Sequence, residues 1–186
     1  VIHKNRYGKM GGKEISSIAK AQGTPLAFKE EFTSNQTDFS KIIATIRRSR
    51  VQAIVIWGLY GPAGRLVRKL GEKGVKVQIF GSDGIVAPAF VDVAGRACNG
   101  AIVTYPYDET RDEQMNRAFI KRYRRRYNEE PDSFSAHGYD AMVLMCTAIR
   151  KAGLNRYRIR DTLANTKNFP GVTGRITFDH QGNDTR

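Results

Sequence analysis

The sequence has no long hydrophobic run, since no apolar stretch approaches the roughly 18 residues that a membrane-spanning helix needs. It has two cysteines and no Cys-x-x-Cys pair, which excludes a disulfide framework, a zinc ribbon and a dithiol redox site. We expect Cys98 and Cys146 to be free, buried thiols, because small apolar packing is the usual role of cysteine. With 40% hydrophobic residues in 186, the chain has enough apolar side chains to fold as one domain or two small ones.

Motifs for catalysis and nucleotide binding are also missing. There is no Gly-x-Gly-x-x-Gly, Gly-x4-Gly-Lys-Ser/Thr, His-Glu-x-x-His or Gly-x-Ser-x-Gly pattern. The three histidines, His3, His137 and His180, lie in unlike surroundings. We therefore expect no catalytic residue, no metal site and no cofactor. A flavodoxin-like, nucleotide-binding enzyme remains a remote alternative for the first hundred residues.

Basic residues exceed acidic ones, 31 Lys and Arg against 18 Asp and Glu, and a net charge of +13 raises the question of a nucleic-acid partner. The densest basic run is residues 121–127. On a helix its positive charges point all round the axis, while Phe119, Tyr123 and Tyr127 form an aromatic row four residues apart. No nucleic-acid recognition motif accompanies the run. The pattern indicates a solvated basic surface and no nucleic-acid partner.

Short apolar segments alternate with helical patterns over the first hundred residues. After the apolar pair Val1-Ile2, strands are predicted at residues 26–32, 52–57, 75–80 and 100–104, and helices at 38–48, 63–72 and 88–94. Residues 5–8 are interpreted as a loop. This alternation predicts the α/β class, with a parallel sheet and helices on both of its faces.

The pattern changes after Pro106. Helices are predicted at residues 112–127, 133–151 and 157–165, followed by a strand at 174–178. The middle helix carries a wide apolar face, formed by Tyr139, Met142, Val143, Met145, Cys146 and Ile149. Three helices and one strand cannot bury such a face without a partner sheet, so we place a domain boundary within residues 105–108. If that sheet is missing, the face is expected to be exposed and to favour self-association.

Ligands of open α/β sheets bind at the carboxyl ends of the strands. Three loops at such positions combine glycine with tyrosine or an acid: Asn5-Arg6-Tyr7-Gly8, Gly58-Leu59-Tyr60-Gly61-Pro62 and Gly81-Ser82-Asp83-Gly84. Glycine allows close approach to a ligand, tyrosine offers a ring and a hydroxyl, and Asp83 offers a carboxylate to a cation. The alternative is that all three are ordinary tight turns.

Several short motifs occur in order along nearly the whole chain. They are Tyr7-Gly8, Thr37-Asp38-Phe39-Ser40, Gly81-Ser82-Asp83-Gly84, Cys98-Asn99-Gly100, Glu130-Pro131-Asp132, Gly138-Tyr139-Asp140-Ala141 and the run from Gly171 to Asp179. Together they resemble the type I periplasmic solute-binding proteins of the branched-chain amino acid (leucine/isoleucine/valine) transport family. That resemblance implies a parallel-sheet, Rossmann-like lobe plus the helices of a second, incomplete lobe.

The resemblance also implies a division of the chain and a set of ligand contacts. Residues 1–104 correspond to the family's second lobe, and residues 105–186 to the segment that returns to a first lobe whose opening half is lacking. Tyr7 and Asp83 match ligand-binding positions, with Asp83 suited to pair with an ammonium group. The third position, usually tyrosine, falls at Leu59 or, with a shift of one residue, at Tyr60.

The implied function is that of an extracytoplasmic, periplasmic receptor for an ABC importer, without enzymatic activity. It would bind a small amino acid-like ligand between two lobes and present it to a membrane permease. Two alternatives stay open on the same fold. One is a binder of aromatic carboxylates, and the other is an amide-sensing or other ligand-sensing regulator.

Overall fold

The computed structural model describes residues 1–185, which form two compact units. Unit 1 is Val1–Tyr105, and unit 2 begins at Pro106. Within the described residues, no helix is both long enough and apolar enough to cross a membrane.

Unit 1 is built around parallel strands. Its elements are β1 (Ile2–His3), α1 (Arg6–Ala21), β2 (Glu31–Phe32), α2 (Ser40–Ser49), β3 (Ala53–Ile56), α3 (Tyr60–Glu72), β4 (Gln78–Gly81), α4 (Pro88–Ala94) and β5 (Ile102–Val103), with short 3-10 turns at Asp83–Ile85 and Gly95–Cys98. Strand pairs β1–β2, β3–β4 and β4–β5 are all parallel. A parallel bridge between Ile2 and Trp57 joins them in the order β2-β1-β3-β4-β5. This confirms the predicted α/β class.

The core of unit 1 lies on one face of this sheet. Alternate residues of β3 point to opposite faces, and Ile54 and Ile56 are buried with side chains of the three helices that follow β2. Their shared cluster is Phe32, Phe39, Ile42, Ile43, Ile46, Ile54, Ile56, Ala63, Leu66, Val67, Leu70, Ile79, Ile85, Phe90 and Ala94. On the opposite face of the sheet, α1 packs against the side chains of Ile2 and Trp57.

Helix α1 was not predicted from the sequence, which assigned residues 5–8 to a loop. Asn5 is the N-cap: its Oδ1 accepts from the amide of Gly8 at 2.8 Å. The helix buries Gly8, Gly11 and Gly12, so the hydrophobic periodicity that identifies a helix is missing from its inner face. A Cβ at Gly11 would overlap the Trp57 ring. The glycines therefore weaken helix propensity but let α1 lie directly on the sheet.

The strands are shorter than predicted. The segment predicted at 26–32 is a strand only over Glu31–Phe32, where it pairs with the two-residue β1. Helices also cover the α1 side of the sheet only in part. Phe80 lies in register with Val55 and with Ile102, and both Phe80 and Ile102 are exposed at that edge.

Unit 2 consists of three helices and a hairpin. They are α5 (Gln114–Tyr127), α6 (Ser133–Ala152), α7 (Arg156–Ala164), β6 (Phe169–Gly171) and β7 (Gly174–Ile176). The antiparallel partner β6 was not predicted. Asp140 of α6 is buried and fixes the hairpin turn, since its carboxylate accepts from the amides of Val172 and Thr173 at 2.8 and 2.9 Å and from the Thr173 hydroxyl at 2.7 Å.

The apolar face predicted for α6 is largely exposed, as expected for a face that lacks its partner sheet. The helix instead buries Ser133, Ala136, Asp140, Leu144 and Ala148, a row of mostly small or polar residues. Met142 is 62% exposed and Met145 38%. The prediction of two buried thiols is wrong: both cysteines are free, but Cys98 is half-buried and Cys146 is exposed. Cys146 is exposed because it lies on this side of α6, which no element of unit 2 within residues 1–185 covers.

The aromatic row of α5 lies against the small core of unit 2. Phe119 is buried, with ring centroids 5.8 Å from Tyr123 and 4.9 Å from Tyr139. The Tyr127 ring lies 4.7 Å from that of Tyr123, between centroids, and is tilted by 49°, but Tyr127 remains exposed. The neighbouring arginines are exposed, and Arg124 pairs with Glu130 at 2.7 Å. The basic run is thus the solvated side of an amphipathic helix.

Candidate functional site

The carboxyl edge of the sheet in unit 1 brings the three distinctive loops together. In the sheet order β2-β1-β3-β4-β5, the chain passes from β1 to β2 in one direction across the sheet and from β3 to β4 in the opposite direction. The strand order therefore reverses between β1 and β3, and ligands of open α/β sheets bind at such a switch point. The segments that directly follow β1, β3 and β4 carry Tyr7, Leu59 with Tyr60, and Asp83.

Tyr7 and Asp83 form the centre of this edge. Tyr7 lies in the first turn of α1, and its hydroxyl donates to Asp83 Oδ1 and accepts from the amide of Gly84 at 3.1 Å. Burial, and secondly the hydrogen bond to Asp83, raise the pKa of Tyr7 above its ordinary value of 10. The phenol is therefore protonated at neutral pH and acts as a donor. Of the two carboxylate oxygens of Asp83, only Oδ1 accepts from the Tyr7 hydroxyl, and Asp83 is half-buried.

Gly84 allows the three loops to approach one another. A Cβ at this position would lie 2.6 Å from the Gly58 carbonyl oxygen and 2.8 Å from the Tyr7 ring. The buried Ser82 adds a further contact, because its Oγ accepts from the amide of Gly58 at 3.4 Å. The position of Asp83 relative to Tyr7 is thus set by close backbone contacts.

Leu59 and Tyr60 stand beside this pair in sequence and open α3. Leu59 is the extended N-cap residue, and Tyr60 is the first residue of the helix. Their side chains are 39% and 41% exposed. Both offer apolar surface at the carboxyl edge, so the geometry leaves both open as the third contact position.

Two features of this edge were missed in the sequence. Buried His3 contacts Asn5 and Ser34 through its two ring nitrogens, at 3.0 and 2.9 Å. Trp57 lies 5.9 Å from the Tyr7 ring, between centroids, and its buried Nε1 has no hydrogen-bond partner among the described residues. The only signal for His3 was its place directly after an apolar pair at the start of the chain.

The larger hollows lie elsewhere. Two of about 750 and 420 Å³ are in unit 2, the first lined by α7 and residues 178–182, the second by α6 and apolar residues of β7 and its end. Neither hollow is lined by Tyr7, Leu59, Tyr60 or Asp83. Within residues 1–185, no three His, Cys, Asp or Glu side chains are grouped so that they could hold a metal ion.

Comparisons with known proteins agree with the observed fold. A family model described as "Periplasmic binding protein" matches residues 1–186. The Leu/Ile/Val-binding protein homolog 1 of Brucella abortus is 29% identical over 184 residues, which are 98% of this chain and 49% of that protein.

Two solved structures are also similar. A leucine-binding protein from Thermotoga maritima has a TM-score of 0.92 at 26% identity, with 98% of this chain and 53% of that one covered. A branched-chain amino acid transporter substrate-binding protein from Streptococcus pneumoniae, in complex with isoleucine, has a TM-score of 0.84 at 31% identity, with 97% and 51% covered. The chain spans about half the length of the relatives it matches.

Proposed function

Because the chain belongs to the family of periplasmic binding proteins, we propose that it forms about half of an extracytoplasmic receptor that binds a small amino acid for an ABC importer. The observation that carries this proposal is the Asp83 carboxylate, held by Tyr7 at the switch point of a parallel sheet. Leu59 and Tyr60 add apolar surface at the same edge.

The chemistry of this edge favours a ligand with an ammonium group. One Asp83 oxygen accepts from Tyr7, and the other is available for a charge-assisted hydrogen bond from a cation. A ligand carboxylate would be repelled by Asp83, so an amino acid would turn its ammonium group toward unit 1. Its side chain would then contact Leu59 or Tyr60. The isoleucine bound to the Streptococcus pneumoniae relative is a ligand of this kind.

We assign residues 1–104 to one lobe and residues 105–186 to part of a second. The support is the exposed apolar side of α6 together with the coverage of about half of each relative. Ligand held between two lobes would favour their closed arrangement, which a membrane permease would recognise. Binding and closure require no catalytic step.

Calorimetry on a protein that carries this chain together with its remaining lobe tests the proposal. We expect leucine, isoleucine or valine to bind, and Asp83→Asn to weaken that binding by roughly 10- to 100-fold, since a hydrogen bond to a charged group contributes about 1.5–3 kcal/mol. Asp92→Asn is the matched control, because Asp92 is an exposed acid on α4. Binding of benzoate alone, without any amino acid, would show that the proposed ligand class is wrong.

Leu59→Ala and Tyr60→Ala separate the two candidates for the third contact. Substitution of the residue that touches the ligand side chain should change the ratio of the affinities for leucine and alanine, because each Å² of lost apolar contact area costs about 25 cal/mol. The other substitution should leave that ratio unchanged. If neither changes it, the side chain of the ligand lies against a different part of the receptor.

A further inference from the structure

His3 is a buried titratable residue that the proposed binding role does not use. It is the last residue of β1, only 2% exposed, and its ring stacks on Phe32 at 5.2 Å with planes 8° apart. The ring reaches two polar side chains, Asn5 Nδ2 at Nδ1 and Ser34 Oγ at Nε2. The residue therefore connects the loop after β1 to the loop after β2.

The orientation of the Asn5 amide is fixed by the backbone. Asn5 Oδ1 must accept from the Gly8 amide, which has no other acceptor in the first turn of a helix. Its Nδ2 group therefore faces His3 as a donor, and His3 Nδ1 must be the unprotonated acceptor. Nε2 then carries the proton and donates to Ser34.

Protonation of His3 at Nδ1 would place its N–H group against the Nδ2 group of Asn5, and both are hydrogen-bond donors. Turning the amide of Asn5 over does not help, because its Nδ2 would then face the Gly8 amide. One of the two hydrogen bonds of Asn5 is lost in either case. Asn5 caps the helix turn in which Tyr7 lies.

We propose that His3 is a proton-sensitive support of the α1 N-terminus, so that its protonation loosens the Asn5 cap and with it the contact of Tyr7 with Asp83. Acidic pH thus makes the carboxyl edge of the unit 1 sheet less ordered. This inference concerns the chain's own hydrogen bonds and does not depend on the identity of a ligand.

The surroundings of His3 disfavour its charged form. Burial lowers the pKa of His3 below its ordinary value of 6.5. The charged residues on neighbouring elements are Lys4 beside it, Arg6 on α1, Glu31 on β2, and Arg65 of α3, whose guanidinium donates to the Ser34 carbonyl. Within the described residues, none of them forms an ion pair with the imidazole.

The test is an NMR titration of the 186-residue chain with two kinds of readout. The His3 ring resonances report its protonation, and hydrogen exchange of the Gly8 and Gly84 amides reports the Asn5 cap and the Tyr7 contact. After correction for intrinsic pH dependence, we expect both amides to exchange about fivefold faster once His3 is protonated, the size of effect of a lost N-cap. The Ile43 amide in α2 should not respond.

Asn5→Asp is the decisive variant, because Asp is also a good N-cap but would accept from the protonated ring. His3 should then titrate above 6.5, and both amides should stay protected at acidic pH. Asn5→Ser keeps a capping oxygen without a donor toward His3, so it should remove the pH response of the Gly8 amide. The ring resonances of His137 in unit 2 are the internal control and should be the same in all three proteins.

Two results would overturn the proposal. One is a His3 titration that does not differ between the parent chain and Asn5→Asp. The other is unchanged exchange at Gly8 and Gly84 while His3 becomes protonated. Neither measurement requires a ligand, so a failure here is separable from a failure of the proposed function.

Discussion

Unit 1 and unit 2 bury their apolar side chains to very different extents. Unit 1 has a continuous core of β3, β4 and the helices packed on one face of its sheet. The buried cluster of unit 2 is confined to Tyr107, Phe119, Ile120, Ala136 and Val172. Several large apolar residues of α6 are exposed instead, among them Phe134, Met142 and Met145.

This contrast indicates that the two units have different sources of stability. Burial of apolar surface stabilises unit 1, because its sheet is enclosed between helices near β1 and β3. Unit 2 depends more on polar contacts of its backbone, such as those that Asp140 makes with the turn of the β6–β7 hairpin.

Separating the two units should produce the largest effect. We expect residues 1–105 alone to unfold in one cooperative transition, because their core is internal to that segment. Residues 106–186 alone should lack a cooperative transition, since so small a core does not offset the chain entropy. Thermal unfolding followed by near-UV circular dichroism checks both. A sharp transition in the second segment would contradict the contrast.

Replacing Asp140 should destabilise unit 2 strongly. Asp140→Ala removes the carboxylate that accepts three buried hydrogen bonds, and we expect the free energy of unfolding of the 186-residue chain to fall by about 3 kcal/mol. Urea unfolding followed by far-UV circular dichroism measures this change. Asp161→Ala is the control, because that exposed acid pairs only with Arg160 on the surface and should cost less than about 0.5 kcal/mol.

Glycine substitutions should have opposite signs in the two units. Gly11→Ala forces a methyl group against the Trp57 ring and should destabilise unit 1 by about 2 kcal/mol. Gly138→Ala in α6 meets no atom within 4 Å and should stabilise by about 0.5–1 kcal/mol. Trp57, the single tryptophan, reports on unit 1 by fluorescence, and circular dichroism reports on α6. Equal shifts of one sign would refute this reading of the helix packing.

Self-association should involve the exposed side of α6. We expect Met142→Glu to weaken association of the 186-residue chain about tenfold, since a buried methionine contributes about 1.5–3 kcal/mol. Concentration-dependent light scattering measures it. Met10→Glu is a suitable control, because Met10 is similarly exposed but lies on α1 of unit 1. A chain that stays monomeric at high concentration would remove the basis of this prediction.

Mild acid should lower the stability of unit 1 slightly. The folded pKa of His3 lies below 6.5, so between that pKa and 6.5 the unfolded chain binds more protons than the folded one. The free energy of unfolding therefore falls as the pH decreases through this window. Urea unfolding followed by Trp57 fluorescence should show the decline, and His3→Gln should reduce it. An unchanged slope in the variant would assign the decline to other groups.

The sequence was sufficient for the fold class and for the order of most elements, because both depend on apolar runs and helical spacing. It was insufficient for α1, whose buried face is glycine and so carries no hydrophobic period. It also did not indicate which side of α6 packs within unit 2, where the buried row is mostly small or polar. Both failures occur where close backbone approach, and not apolar area, determines the packing.

The candidate site was predicted only in part. The structure brings Tyr7 and Asp83 into a hydrogen bond, and their role as ligand contacts stays a prediction. Periodicity could not reveal the His3 cluster, because its members come from three separate segments, the end of β1, the start of α1 and the loop after β2. Leu59 and Tyr60 remain alternatives, since consecutive residues at a helix start both reach solvent.

Tyr7 and Asp83 are 76 residues apart in the sequence, which has a consequence for the order of folding. Their contact forms only after β4 has joined the sheet, and closing so long a loop is among the slower steps of a parallel fold. A partly folded chain, even one with α1 and β1 in place, lacks the pair. Ligand that binds this pair would therefore stabilise the completed lobe and none of its folding intermediates.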